Sequence, residues 1–505
     1  MSSKIYTSAL LGLNSALVEV EADILGGLPK TLIVGLPDAA VTEAGERVRS
    51  AIKNSQLEFL NRRYTVNLAP ADIKKEGPSY DLPIAISILA ASGQIIFDFR
   101  NALFIGELSL DGSLRPVNGI LSAIQLVKEK GIKNIFLPEE NANEACLIPG
   151  PDVFPCKNLN QVIDHLSRKK LISPHHYDWG KEDIRDECEL DMAYIKGQEH
   201  VKRALEIAAS GHHNVILTGP PGSGKTLLSK ATASIMPKMS LEESLEVTRI
   251  YSVAGLLSTK EPLISKRPFR SPHHSASTAS LVGGGRIPRP GEISLANRGV
   301  LFLDEFSEFS RSVLESLRQP LEEGMITVSR VHSTLTYPAK FILIAAQNPC
   351  ACGYASDPVK TCICTPSQII KYQKKISGPL LDRIDMHIDV PRIKFEKLTD
   401  EKVAESSKKI RERVKKAQTV QKARFKRLGI FFNSEMNQRQ IMEFCRVEQK
   451  TQELLKNAVN QLHLSARSYH RILKLSRTIA DLAGFPEIKM EHVAEALQYR
   501  PKTLI

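Results

Sequence analysis

Between the apolar stretch Asn214–Thr218 and the helical stretch Leu227–Ile235 lies one unbroken run, Gly219-Pro220-Pro221-Gly222-Ser223-Gly224-Lys225-Thr226. A glycine-rich turn that presents successive backbone N–H groups, then a lysine and a hydroxyl, needs a strand that ends where a helix begins. The chain around it must therefore fold as parallel strands covered by helices. In that setting the turn wraps a β-phosphate, Lys225 neutralises the β/γ oxygens and Thr226 ligates Mg²⁺. An ordinary glycine turn would not be answered by a second motif downstream.

That answer is Gly299-Val300-Leu301-Phe302-Leu303-Asp304-Glu305, an apolar strand ending in two carboxylates. Asp304 is placed to hold Mg²⁺, and Glu305 to polarise the water that attacks a γ-phosphate. Two merely solvated acids would fit such a buried strand poorly. A third strand, Lys340–Ala346, delivers Gln347 and Asn348 to the same sheet edge, where Asn348 can hold the water or the γ-phosphate. A non-enzymatic scaffold would not need Lys225, Asp304 and Glu305 together.

The 505 residues exceed one ordinary core of roughly 100–200 residues. Residues 1–168 alternate strands such as Thr31–Val34 and Tyr64–Leu68 with helices such as Asp81–Ala91 and Ile120–Lys130, a mixed α/β unit. Residues 169–190 are polar and read as a linker, 191–392 as the phosphate-binding α/β unit, and 393–505 as helical, with apolar periodicity over Thr451–Leu462, Tyr469–Ala483 and Lys489–Leu497. No signal peptide or apolar tract of about 18 residues is present, so a cytoplasmic protein with no membrane partner is expected. A net charge of +12 favours an anionic partner without deciding which.

Longer motifs identify a family. They are Arg270-Ser271-Pro272-His273-His274-Ser275, Gly291-Glu292-Ile293-Ser294-Leu295-Ala296, Leu317-Arg318-Gln319-Pro320-Leu321-Glu322, Asn348-Pro349-Cys350 and Gly378-Pro379-Leu380-Leu381-Asp382-Arg383-Ile384-Asp385. Together they resemble the Mg-chelatase-like AAA+ proteins of the ComM/YifB family over essentially the whole chain. The resemblance implies an α/β fold class: an AAA+ core, a Lon-protease-like N-terminal domain of the ribosomal S5 type and a C-terminal helical lid. It implies ATP and Mg²⁺ as cofactors and a homo-hexameric ring acting as a DNA helicase. That helicase would promote branch migration on single-stranded and branched DNA during natural transformation, in company with recombination proteins. A chelatase-like ATPase that remodels a protein partner is the alternative. By the same resemblance Arg383 is the arginine finger and Arg467 the lid arginine that senses nucleotide, with Arg471 competing for that role. Ser79, in Glu76-Gly77-Pro78-Ser79, matches the serine loop of Lon-type proteases. Ala123 stands where the basic partner would be, so no peptidase activity is expected.

Candidate DNA contacts are Arg270, Arg286 and Arg289, in a basic segment around Gly283–Gly285 that reads as a mobile loop, with pairing to local acids the alternative for any one of these cations. The resemblance implies that this segment faces the ring pore and that a hairpin after Gly324, with Arg330 and His332 near its tip, is a second pore element. The run Lys402–Arg427 holds eleven Lys or Arg against Glu405 and Glu412, either a phosphate track or a solvated helix face. Cys350, Cys352, Cys362 and Cys364 offer four thiolates to a structural Zn²⁺ that would brace the loop after Asn348, with free buried thiols the alternative.

Overall fold

The computed structural model describes residues 4–177, 190–285, 289–330, 333–355, 357–393, 404–461 and 464–500. Of the candidates above, Arg286 and His332 lie outside the described residues, and Arg330 is described only in its backbone.

The N-terminal unit is a seven-stranded mixed sheet in the order Lys30–Val34, Arg63–Ala69, Asn14–Leu25, Lys4–Leu11, Ala102–Phe104, Asn134–Pro138 and Asp152–Cys156. Strand alternation divides its side chains between two faces. Phe104 and Phe136 stack at 4.9 Å in the core under helices Ala39–Asn54 and Asp81–Ala91, while Leu103, Ile135 and Leu137 point into a second core under helix Ile120–Lys130. Residues 169–177 fold back onto this sheet, His175 bridging Val153 and pairing with Asn143 at 2.8 Å.

The central sheet has five strands, all parallel, in the order Phe269–Arg270, Val300–Leu303, Ile342–Gln347, Val215–Thr218 and Met386–Asp389. A sheet buried on both faces needs apolar residues at every position, and Val300–Leu303 and Ile342–Ala346 supply them. Val300, Phe302, Ile342 and Ile344 face helices Glu199–Gly211 and Lys225–Ile235, and Leu301, Leu303, Leu343 and Ala345 face the opposite layer.

Among the described residues, the C-terminal helices share this core. Leu473, Ile479 and Val493 join the same apolar cluster as Val215 and Ile344. Within the helical layer, the Asp481 carboxylate is fully buried between Arg424 and Arg477. The hairpin expected after Gly324 forms from Met325–Arg330 and Ser333–Pro338.

The N-terminal sheet is seated on the central unit through helix Leu241–Ala254. Ser252 Oγ donates to Glu144 Oε1 at 2.5 Å and accepts the Gly119 N–H at 3.1 Å, and Arg249 reaches Ser122 and Asn14. A cavity of about 710 Å³ opens beside this contact, and Ser79, Lys74 and Glu76 line it. Ser79 sits in a short turn of 3₁₀ helix, Pro78–Tyr80, and Ala123 is buried.

Candidate active site

Three strand ends converge at one edge of the central sheet. The turn after Val215–Thr218 places Lys225 Nζ 2.6 Å from Gly219 O, 3.0 Å from Pro220 O and 3.3 Å from Asn348 Oδ1. Burial lowers the Lys225 ammonium from its ordinary value, opposed by Asp304. Gly219 must be glycine, because a Cβ there would stand 2.1 Å from Val390 O. Gly224 caps the following helix in the left-handed region at φ 88°. Thr226 Oγ1 donates to Asp304 Oδ2 at 2.8 Å, so a hydroxyl and a carboxylate already share one point. Two hard oxygen ligands at that spacing suit Mg²⁺. Pro221, Gly222, Thr226 and Glu305 are exposed, which leaves this edge open on its outer side.

Glu305 adopts φ 51°, uncommon for a side chain with a Cβ, and its N–H is fixed by Asp304 Oδ1 at 2.9 Å. Its carboxylate meets His274, Nδ1 to Oε2 at 2.9 Å. Asn348, Lys225, Thr226 and Asp304 are thus brought together as the sequence motifs require, and Glu305 follows directly after Asp304.

The arginines lie elsewhere. Arg383 and Arg467 share one carboxylate, Glu322, with Arg467 at 3.2 Å and Arg383 closer still. The Arg383 guanidinium above all, with Arg467 behind it, holds Glu322 below the usual carboxylate range. Arg471 donates to Ile384 O at 2.5 Å and lies 3.5 Å from Asp382.

The four cysteines converge. Their sulfurs all lie within 4.8 Å of one another, and three separations are 3.3, 3.5 and 3.7 Å. A tetrahedron with Zn–S of about 2.3 Å has S···S edges of about 3.8 Å, so the donor set fits zinc. Cys352 is pushed down to about 6, first by the Tyr354 backbone N–H. The loop presses on the phosphate turn, since a Cβ at Gly353 would meet Pro221 Cδ at 2.7 Å.

Several basic residues prove to be committed internally. Arg267 donates to Pro237 O, Arg298 O and Glu243. Arg270 is held by Glu292 through two bonds of 2.6 and 2.7 Å. Arg270, a candidate DNA contact, thus has its charge matched by Glu292 within the fold. The segment is also less loop-like than expected: Thr278–Val282 is helical and Gly283–Gly284 pairs with Arg289–Pro290. Arg289 is exposed. In helix Ser407–Phe425, Arg413 pairs with Glu206 and Glu405, and Arg424 with Asp481. Lys408, Lys415 and Lys422 stay exposed at seven-residue intervals, one stripe of the helix.

Comparison with known proteins places this geometry. Residues 191–398 match the family "Magnesium chelatase, subunit ChlI", residues 20–141 "Subunit ChlI of Mg-chelatase", and 404–500 the ChlI C-terminal family. The chain is 43% identical over 505 residues to Competence protein ComM of Haemophilus influenzae, covering 98% of this chain and 97% of that protein. It is 41% identical over 501 residues to the YifB protein of Escherichia coli, covering 99% and 97%. The chain belongs to the ComM/YifB family. Lon protease 2 of Bacillus subtilis is 28% identical over 196 residues, 35% of each chain. The ComM/YifB fold class accordingly comprises a Mg-chelatase AAA+ core, a Lon-like part and a C-terminal helical region. In this ComM/YifB-family chain two contacts escaped the sequence reading, His274 on Glu305 and Glu322 under both arginines. Both residues stand inside the family motifs, but nothing in the local spelling announces either pairing.

Proposed function

We propose that the chain is an AAA+ ATP hydrolase that assembles as a ring of six and drives unwinding and branch migration of DNA. It would act in the cytoplasm, during natural transformation and homologous recombination. The observation that carries the ATPase reading is the meeting of Lys225, Thr226, Asp304 and Asn348 at one open sheet edge, with Glu305 adjoining. Lys225 would exchange its carbonyl partners for β/γ oxygens, Thr226 and Asp304 would hold Mg²⁺, which would supply charge neutralisation, and Asn348 would position the water that Glu305 polarises. Arg383 is the arginine finger supplied to a neighbouring copy's γ-phosphate, and Arg467 is the lid arginine that senses nucleotide, with Arg471 the alternative. The four cysteines would hold Zn²⁺ in a structural role, since four thiolates leave no open position for substrate.

The DNA reading is supported by full-length similarity to a protein named for competence and by exposed cations, Arg289 and the Lys408–Lys415–Lys422 stripe. Strand displacement on three-stranded and forked DNA with ATP tests it, comparing wild type with Lys225→Ala, Glu305→Gln and Arg383→Ala. Loss in all three is expected. Hydrolysis without DNA binding or unwinding would refute the helicase reading and favour a chelatase-like remodeller of a protein partner.

A further inference from the structure

The cavity of about 710 Å³ beside the Ser252–Glu144 contact is built by both units. Strands Lys4–Leu11 and Asn14–Leu25 supply its floor: Ser8 and Leu10 alternate onto one face, and Ser15 pairs across from Leu10. Ile73, Ser79, Val117 and Asn118 add walls from the same N-terminal unit, and Val253, Arg289 and Leu335 come from the central one. Leu335 lies in the hairpin strand Ser333–Pro338, so close to the N-terminal sheet that a Cβ at Gly12 would stand 3.3 Å from its Cδ2.

The lining excludes several classes of ligand. Two cations, Lys74 and Arg289, stand against three carboxylates, Asp72, Glu76 and Glu107. Lys74 is held by Glu76 at 2.5 Å, and Glu107 lies 3.6 Å from Arg115. A lining with more acids than bases disfavours a phosphate or a nucleic-acid backbone. Among the described residues no aromatic ring lines the cavity, so a nucleobase finds nothing to stack on, and no cysteine or histidine is there to hold a transition metal. What remains is aliphatic carbon interleaved with neutral hydrogen-bonding groups. Leu10, Ile73, Val117 and Leu335 supply the first, and the hydroxyls of Ser8, Ser15 and Ser79 the second, none of them hydrogen-bonded among the described residues. Ser8 is only 4% exposed, so its hydroxyl is an unspent polar group in an otherwise closed surface. An extended polypeptide carries the same alternation of apolar side chains and amides, and the volume falls within the roughly 300–1,000 Å³ of small-ligand sites.

We propose that this cavity binds an extended, uncharged, aliphatic segment of a partner protein, gripped between the N-terminal sheet and the hairpin. Ser79 has no base bonded to it among the described residues, so the segment is held and not cut. Occupancy ties the N-terminal unit to the hairpin through Leu335.

A fluorescein-labelled peptide that alternates leucine and serine, with both ends blocked, is titrated with the full-length protein and read by anisotropy. A peptide alternating aspartate and serine is the matched control. Saturable binding of the first and none of the second is expected. Leu10→Lys puts a charge on the floor and Ser79→Trp fills a wall, and each should weaken affinity at least about tenfold. Leu28→Lys, at an apolar residue 87% exposed outside the cavity, should leave affinity unchanged, which separates the cavity from general apolar adhesion. Circular dichroism and the thermal midpoint, expected at wild-type values in all three variants, separate lost binding from lost fold. Absence of saturable binding, undiminished binding in both cavity variants, or equal weakening by Leu28→Lys overturns the proposal. So does displacement of the probe by an oligothymidine, which would give the cavity to nucleic acid, and recovery of a cleaved probe by mass spectrometry would show that the segment is not merely held.

Discussion

Glu144 joins the N-terminal sheet to the central unit, and replacing it with glutamine should change how that junction responds to pH. Its Oε1 accepts the Ser252 hydroxyl at 2.5 Å and the Leu121 N–H at 3.2 Å, and Asn141 reaches Oε2 at 3.4 Å. Burial pushes the carboxyl from 4.5 up to about 7, the three hydrogen bonds opposing it. Between those values the folded chain keeps a proton that the unfolded chain has released. Stability is therefore fully present below about pH 4.5, falls as pH rises through about 7, and stays reduced above it. The difference of about 2.5 units corresponds to about 3 kcal/mol. Glutamine cannot ionise, and its Oε1 can accept from both Ser252 and Leu121. Loss of the Asn141 contact costs about 1 kcal/mol, which leaves Glu144→Gln ahead of wild type by about 2 kcal/mol at pH 8 and behind it at pH 4. Hydrogen exchange of helices Ile120–Lys130 and Leu241–Ala254, followed from pH 4 to 8 after correction for intrinsic exchange, reads the junction locally. Parallel loss of protection in wild type and Glu144→Gln as pH rises would refute the reasoning.

Gly219→Ala places a Cβ 2.1 Å from Val390 O, so the phosphate turn must shift and ATP turnover should fall on the order of 100-fold with the fold retained, checked by ATPase assay and circular dichroism. Cys350→Ser removes the buried member of the four-thiolate set, and zinc affinity should drop at least about tenfold, measured by competition with a chromogenic chelator; equal affinity would exclude the site. Asp481→Asn leaves Arg424 and Arg477 without their shared carboxylate and should destabilise the shared core of central sheet and helical layer by about 3–5 kcal/mol, read from the denaturant midpoint of unfolding.

What the sequence revealed were features written in contiguous residues. The phosphate turn, the strand before Asp304 and the strand before Asn348 are each specified by neighbours along the chain, and each forms where periodicity and turn chemistry place it. Charge was less informative because a count of cations cannot see their partners. Arg270 looked like a loop cation, yet Glu292 neutralises it across the fold. Arg413 and Arg424 belonged to a run that read equally as a phosphate track or a solvated helix face, and Glu206 and Asp481 pair with them. Contacts that join distant segments, Glu144 to Ser252 or Arg383 to Glu322, depend on how layers stack and have no local signature.

The same pairing of charges bears on how many chains a complete site needs. Transfer of a γ-phosphoryl group is helped by a planar cation that meets the developing charge, and Lys225 alone is a point charge bound to the turn. The candidate guanidiniums of this chain do not approach that edge. Arg383 and Arg467 meet on Glu322, Arg471 on Asp382, and among the described residues none contacts Lys225, Thr226, Asp304 or Asn348. Glu322 is half exposed, and Arg467 equally so, which leaves the pair at the surface while the phosphate turn stands open. One open edge lacking a guanidinium and one surface carboxylate that holds two guanidiniums, Arg467 half exposed and Arg383 largely covered, are complementary. A second copy would satisfy both at once, with γ-phosphate oxygens competing with Glu322 for Arg383 and Arg467. Hydrolysis would then rise more steeply than linearly with protein concentration, and mixing Arg383→Ala with Lys225→Ala chains would restore a fraction of the activity that each lacks alone. Activity strictly proportional to concentration down to a monomer, with no recovery on mixing, would show that one chain completes its own site.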